Sequence, residues 1–120
     1  MGDVIPFREK RNFPRVEFQC AIGVLHDGRF ETFRAEEIGQ DGVSFLADFD
    51  SPIGKRVVVS FHIPYVSLII TQAQVKKVED FSGGLKKYFI TFMQLSFTNE
   101  RHLRKYIAEQ FIQYAESEQR

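Results

Sequence analysis

Apolar side chains recur at every second position through three separate stretches of this chain, a period that suits a sheet packed on one face only. Val16, Phe18, Cys20, Ile22 and Val24 alternate with Glu17, Gln19, Ala21 and Gly23. Val57, Val59, Phe61 and Ile63 repeat the pattern until Pro64 stops it, and Ile69, Thr71, Ala73 and Val75 form a third set ending near Glu79. Turn residues punctuate these runs: His26-Asp27-Gly28, Gly39-Gln40-Asp41-Gly42, Ser51-Pro52-Ile53-Gly54 and Ser82-Gly83-Gly84. A further strand is expected over Arg29 to Glu36, with poor alternation. An apolar run at Val43, Phe45 and Leu46 follows, and a last strand rich in aromatic and β-branched residues spans Tyr88 to Phe97.

After Thr98-Asn99 the period changes. Either residue can cap a helix, and Glu100 suits its first turn. Leu103, Tyr106, Ile107, Phe111 and Tyr114 recur at helical spacing as one apolar stripe. The pattern predicts an all-β domain, a six- to seven-stranded antiparallel barrel over residues 16–97. An extended arm over 1–15, holding Pro6 and Pro14, precedes it; a C-terminal helix over 98–116 follows and frays to Arg120.

The 120 residues suffice for one core, and 13 Phe with no Trp make it a phenylalanine core. Little points to catalysis. His26 in a turn, His62 on a polar strand face and His102 on the helix share no metal-ligand spacing, and all three are expected at surface or edge positions. Ser44, Ser60 and Ser67 lack a nucleophile-elbow context, and adjacent Glu36 and Glu37 face opposite sides of a regular strand. The lone Cys20 has no intrachain partner and reads as a small buried hydrophobe. No apolar run is long enough for a membrane span, and Phe7 stands where myristoylation of Gly2 would want Ser or Thr. The expectation is a cytoplasmic protein with no cofactor and no metal.

Sixteen basic and sixteen acidic residues cancel, which argues against a nucleic-acid binder. The distribution is uneven, however. Arg8, Lys10, Arg11 and Arg15 cluster near the N-terminus with only Glu9 against them. Arg11-Asn12-Phe13-Pro14-Arg15 sets two guanidiniums on an arm stiffened by Pro14, and each can donate paired hydrogen bonds to a phosphate or to guanine's acceptor edge. Read alone, the segment is better taken as a solvated basic arm than as an anion clamp.

Together with Glu37-Ile38-Gly39-Gln40-Asp41-Gly42 and the layout of strands and helix, the segment resembles the PilZ family. That family carries an RxxxR motif before its first strand and a DxSxxG motif at a later turn into a strand. The resemblance extends from Glu9 to Phe111. It implies a PilZ-like barrel that binds the second messenger cyclic di-GMP, with Arg11 and Arg15 on the guanine and phosphate edges, helped by Arg8 or Lys10. Gly42 matches the final glycine of the second motif, while Glu37 replaces the aspartate and Gly39 the serine.

Losing one neutral hydrogen bond costs about 1 kcal/mol, and misplacing a charged acceptor roughly 1.5–3 kcal/mol more. The two replacements thus imply a site weakened by roughly two to three orders of magnitude against a full-motif relative, or lost. Three functions follow. One is a cyclic di-GMP receptor acting on another protein; a second is a degenerate, ligand-independent interaction module of motility or pilus machinery; a third is a small nucleic-acid-binding barrel, disfavoured by charge. Exposed apolar residues in Tyr65-Val66-Ser67-Leu68 or on the helix would favour the second, although both segments are expected to pack into the core.

Overall fold

Each alternating run forms a strand with its apolar positions turned inward. The structure is a computed structural model that describes residues 14–64 and 66–118. Its elements are β1 (Arg15–Glu17), β2 (Ala21–His26), β3 (Arg29–Gly39), β4 (Gly42–Ala47), β5 (Arg56–Ile63), β6 (Ser67–Asp80), β7 (Lys86–Phe92) and α1 (Phe97–Glu118). Strands β3, β2, β5, β6, β7 and β4 pair in that order, all antiparallel, and β4 pairs back onto β3 to close the barrel. Strand β1 is an addition to β3 outside that ring. The expected six- to seven-stranded antiparallel barrel with one C-terminal helix is what forms.

Two long strands make the corners. The first part of β3 pairs with β2, and its last part lies between β1 and β4. Strand β6 likewise passes from β5 to β7. Each carries one extra residue against its neighbour, Glu36 against β4 and Lys76 against β7. Such bulges bend a strand, and they also shift its inside–outside phase. Glu31, Phe33 and Ala35 share one phase of β3, with Ala35 buried and Phe33 against the core; beyond Glu36 the buried position is Ile38. Alternation is poor over Arg29 to Glu36 because this part of β3 is largely exposed, with Phe30 63% exposed on the outer phase and Glu31 on the inner one. The phase change then lies beyond it, where β3 runs on to Gly39.

The barrel is filled by Ile22, Val24, Phe45, Val59, Phe61, Ile69, Val75, Tyr88 and their neighbours. Aromatic rings stack at one end, with Tyr88 4.8 Å from Phe49 and 5.6 Å from Phe45. The Tyr88 hydroxyl donates to the Phe49 carbonyl, and burial pushes its pKa up. At the other end Leu103 and Ile107 of α1 close the barrel, and Tyr106 meets Phe18 edge-on at 5.9 Å.

Several expectations need correction. The run Val16–Val24 is two strands, because Phe18, Gln19 and Cys20 oppose only Ala35 and Glu36, a bulge that breaks the ladder. Cys20 within it is half-buried rather than buried. Strand β7 ends at Phe92, and Phe97 opens the helix instead of ending a strand. The cap is Ser96, whose Oγ accepts from the Asn99 backbone N–H at 3.0 Å; neither Thr98 nor Asn99 takes that role.

His26 is buried, not at the surface. It stacks on Phe49 at 4.0 Å and its Nε2 lies 2.9 Å from Glu31 Oε1. The helical stripe is buried only in its first half: Phe111 is 41% exposed and Tyr114 65%, where they border a cleft with Arg15, Val16 and Glu17 of β1. Val66 and Leu68, at 45% and 54%, are likewise outside the core. Among the described residues, no helix is long and apolar enough to cross a membrane, and no cluster of His, Cys, Asp or Glu forms a metal-ligand set.

Candidate functional site

Strand β1 is short, but its register decides what shares a face. Arg15 is opposed by Gly39, Val16 by Ile38 and Glu17 by Glu37. Directly opposed residues of an antiparallel pair project to the same side. Val16 packs inward against the core, so Arg15, Glu17, Glu37 and the bare side of Gly39 look outward.

The row continues round the barrel: Glu37 opposes Ser44 on β4, Ser44 opposes Phe89 on β7, and Phe89 opposes Lys77 on β6. Glu37 and Lys77 belong to this outer row because each lies just past a bulge. The Glu37 backbone N–H donates to Ser44 Oγ at 3.2 Å, which fixes the floor of the row.

Cations surround one aromatic ring here. Arg15 Cζ lies 5.6 Å from the Phe89 centroid, and Lys77 Nζ and Lys87 Nζ each lie 5.3 Å from it. Such contacts contribute roughly 0.5–1 kcal/mol each at exposed sites and hold the charges near the ring. Lys77 also pairs with Glu79 at 2.8 Å, and this bond holds the Glu79 carboxyl below its usual range. A half-buried ring bordered by a guanidinium and two ammoniums suits an anion that carries a planar group.

The turn between β3 and β4 supplies the rest. Neither Gly39 nor Gly42 has a positive φ, so both are glycines for space rather than for backbone freedom. A Cβ on Gly39 would lie 2.9 Å from the Pro14 carbonyl oxygen, 3.1 Å from Arg15 Cγ and 3.3 Å from Asp41 Oδ1. A Cβ on Gly42 would lie 2.0 Å from the Ile90 carbonyl oxygen, inside the backbone of β7. Asp41 anchors the turn through its own carbonyl, which accepts from Phe92 N–H at 2.8 Å. Arg15 Nε and Asp41 Oδ1 are both shielded from solvent, with no hydrogen-bond partner among the described residues.

Of the residues singled out in the sequence, Arg15, Glu37 and Gly39 therefore come together on one outer face. Gly42 stands at the same turn, where its evident task is to let β4 approach β7. Arg8, Lys10 and Arg11 lie outside the described residues. Asp41, Phe89, Lys77 and Lys87 were not anticipated. Phe89 was findable, since it falls between inward-facing Tyr88 and Ile90 and must point out. The two lysines meet it only through strand register, which no local pattern reveals.

The PilZ domain family matches residues 9–109. Among solved structures, the chain is similar to YcgR of Escherichia coli in complex with c-di-GMP, with a TM-score of 0.75 and 17% identity over 92% of this chain and 50% of that one. It is similar to the Bacillus subtilis inhibitor of motility MotI/DgrA, with a TM-score of 0.75 and 14% identity over 87% and 53%. The MrkH–c-di-GMP complex of K. pneumonia gives a TM-score of 0.76 and 14% identity over 92% and 56%. The chain thus spans about half the length of these proteins, and at such identities the likeness speaks for the fold. No curated protein matches in sequence.

Proposed function

The chain belongs to the PilZ family, and from that premise we propose that it is a cyclic di-GMP receptor domain of the cytoplasm. The dinucleotide sits on the outer face built by β1, the β3–β4 turn and β7. Arg15 holds a phosphate or the guanine acceptor edge, and Arg11, with Arg8 or Lys10, completes the clamp from the arm. Glu37 and Gly39 border the ligand at the second motif, and Gly42 keeps the turn close. The observation that supports this reading is the register pair Arg15–Gly39, which joins the two motifs on one side of one sheet. The c-di-GMP complexes of similarly folded YcgR and MrkH favour the same ligand class.

The output is a protein contact. Val66 and Leu68 on the barrel, and Phe111 and Tyr114 on α1, are exposed apolar residues outside the core. The same observation favours a second reading, in which the substitutions at Glu37 and Gly39 have abolished ligand binding and the domain is an interaction module alone.

Isothermal titration with cyclic di-GMP at physiological salt decides between them. Saturable binding, lost in the Arg11→Ala/Arg15→Ala double variant, is the outcome expected of a receptor. A folded domain that gives no heat at high micromolar ligand leaves the interaction module standing. That module would recover the same protein partner with or without the dinucleotide.

A further inference from the structure

The glycine that breaks the second motif is not an empty place. Gly39 stands where the family has a serine, and the volume its side chain would fill is already occupied. Arg15 Cγ and Asp41 Oδ1 lie 3.1 and 3.3 Å from the Cβ position, and the Pro14 carbonyl oxygen lies 2.9 Å from it. Asp41 Oδ1 is shielded from water and accepts no hydrogen bond from any described residue. A buried acceptor left in that state is costly, and the usual resolution is a donor brought by something else.

Resting on the reading of this face as a cyclic di-GMP site, we infer that Asp41 is the acceptor that recognises guanine in this chain, in place of the family's serine. Gly39 is a glycine so that the Arg15 stem and the Asp41 carboxylate can converge above it. Guanine carries donors at N1 and N2 on its pairing edge, whereas adenine carries an acceptor at N1. A carboxylate therefore favours guanine and repels adenine, while the arginines grip the phosphates of either dinucleotide. The turn puts the acceptor beside the Arg15 stem: Asp41 is two residues beyond Gly39, Gly39 is the register partner of Arg15, and Asp41 Oδ1 and Arg15 Cγ flank the same Cβ position.

The residue types have a consequence opposite to simple motif repair. Gly39→Ser, which restores the family's serine, places its Cβ against the Pro14 carbonyl and its hydroxyl within reach of Asp41, so the new donor consumes the acceptor.

Titration of the whole chain with cyclic di-GMP and cyclic di-AMP tests this. Asp41→Asn is expected to weaken cyclic di-GMP binding about tenfold or more and to leave cyclic di-AMP binding equal or tighter, because one charge-assisted hydrogen bond specific to guanine is lost and the repulsion of adenine N1 goes with it. Gly39→Ser is expected to weaken cyclic di-GMP as well, by several-fold. Circular dichroism melts confirm that each variant is folded, and Asp41→Glu, which keeps the charge, is expected to recover part of the affinity. Binding abolished by Arg15→Ala but untouched by Asp41→Asn, or tightened by Gly39→Ser, sinks the inference and leaves the receptor reading intact. Silence of the unaltered, folded chain toward both dinucleotides sinks the two together.

Discussion

Two turns of this barrel use glycine for opposite reasons. At the β2–β3 hairpin, Asp27 and Gly28 have φ of 50° and 76°, and a Cβ on Gly28 would meet nothing within 4 Å. That pair of positive angles makes a two-residue hairpin whose twist matches the strands. Space there is free and the backbone angle is the constraint. At the β3–β4 turn the backbone angles are ordinary and space is the constraint, set by Pro14, Arg15 and Asp41 around Gly39 and by β7 around Gly42. The first turn is encoded locally. The second is encoded by strands that arrive from elsewhere in the chain, and it borders the proposed ligand face.

Substitution at the two turns sharpens this contrast, and the largest effect belongs to Gly42. Gly42→Ala forces a methyl into the Ile90 carbonyl, so β4 and β7 must separate where the barrel closes. A loss of about 3 kcal/mol or more in urea unfolding is expected, at or above the upper end for overpacking. Stability equal to the unaltered chain would mean that the closure is looser than the 2.0 Å approach implies.

Gly28→Ala should cost about 1 kcal/mol through its left-handed backbone alone. Gly28→Asn, which tolerates that region, should lie within a few tenths of the unaltered chain. If Asn proved as harmful as Ala, backbone angle would not be the governing constraint at the hairpin.

The smallest effect is electrostatic. Lys55, in the loop before β5, hydrogen-bonds the Asp27 carboxylate and holds its pKa below the ordinary value. A carboxyl lowered on folding contributes stability at neutral pH, and that contribution fades as acid protonates it. In Lys55→Ala the Asp27 titration, followed by NMR, should move upward toward the ordinary value. An unmoved midpoint would show that solvent already screens the pair, as at many exposed ion pairs.

How much was legible follows the same division. Strand β5 could be read residue by residue, because Val57, Val59, Phe61 and Ile63 face one core with no interruption. Strand β3 could not, because Phe30 sits exposed on its outer phase while Glu31 takes the inner one, and the extra residue Glu36 then shifts the phase before Ile38. The end of β7 was misplaced because its apolar run continues through Met93, Leu95 and Phe97, whereas the ladder stops at Phe92 and Ser96 caps the helix. Arg15, Glu37 and Gly39 were identifiable as motif residues. What fills the space over Gly39, and which cations reach Phe89, depends on register between strands far apart in sequence.

The two bulges carry a further consequence for how such a chain can change. With Glu36 deleted, Ala35, Glu37 and Ile38 would oppose Phe45, Ser44 and Val43 in an unbroken ladder. Ile38 would still face the barrel and Glu37 the outside, and only the local bend would be lost. The deletion of Lys76 would likewise leave Lys77 outside and Val78 inside on β6. A point substitution can retune this face by degrees, but drawing either extra residue into the regular ladder would turn half a strand inside out. The two bulges therefore decide which residues this face presents, more than the identity of most side chains on the two strands.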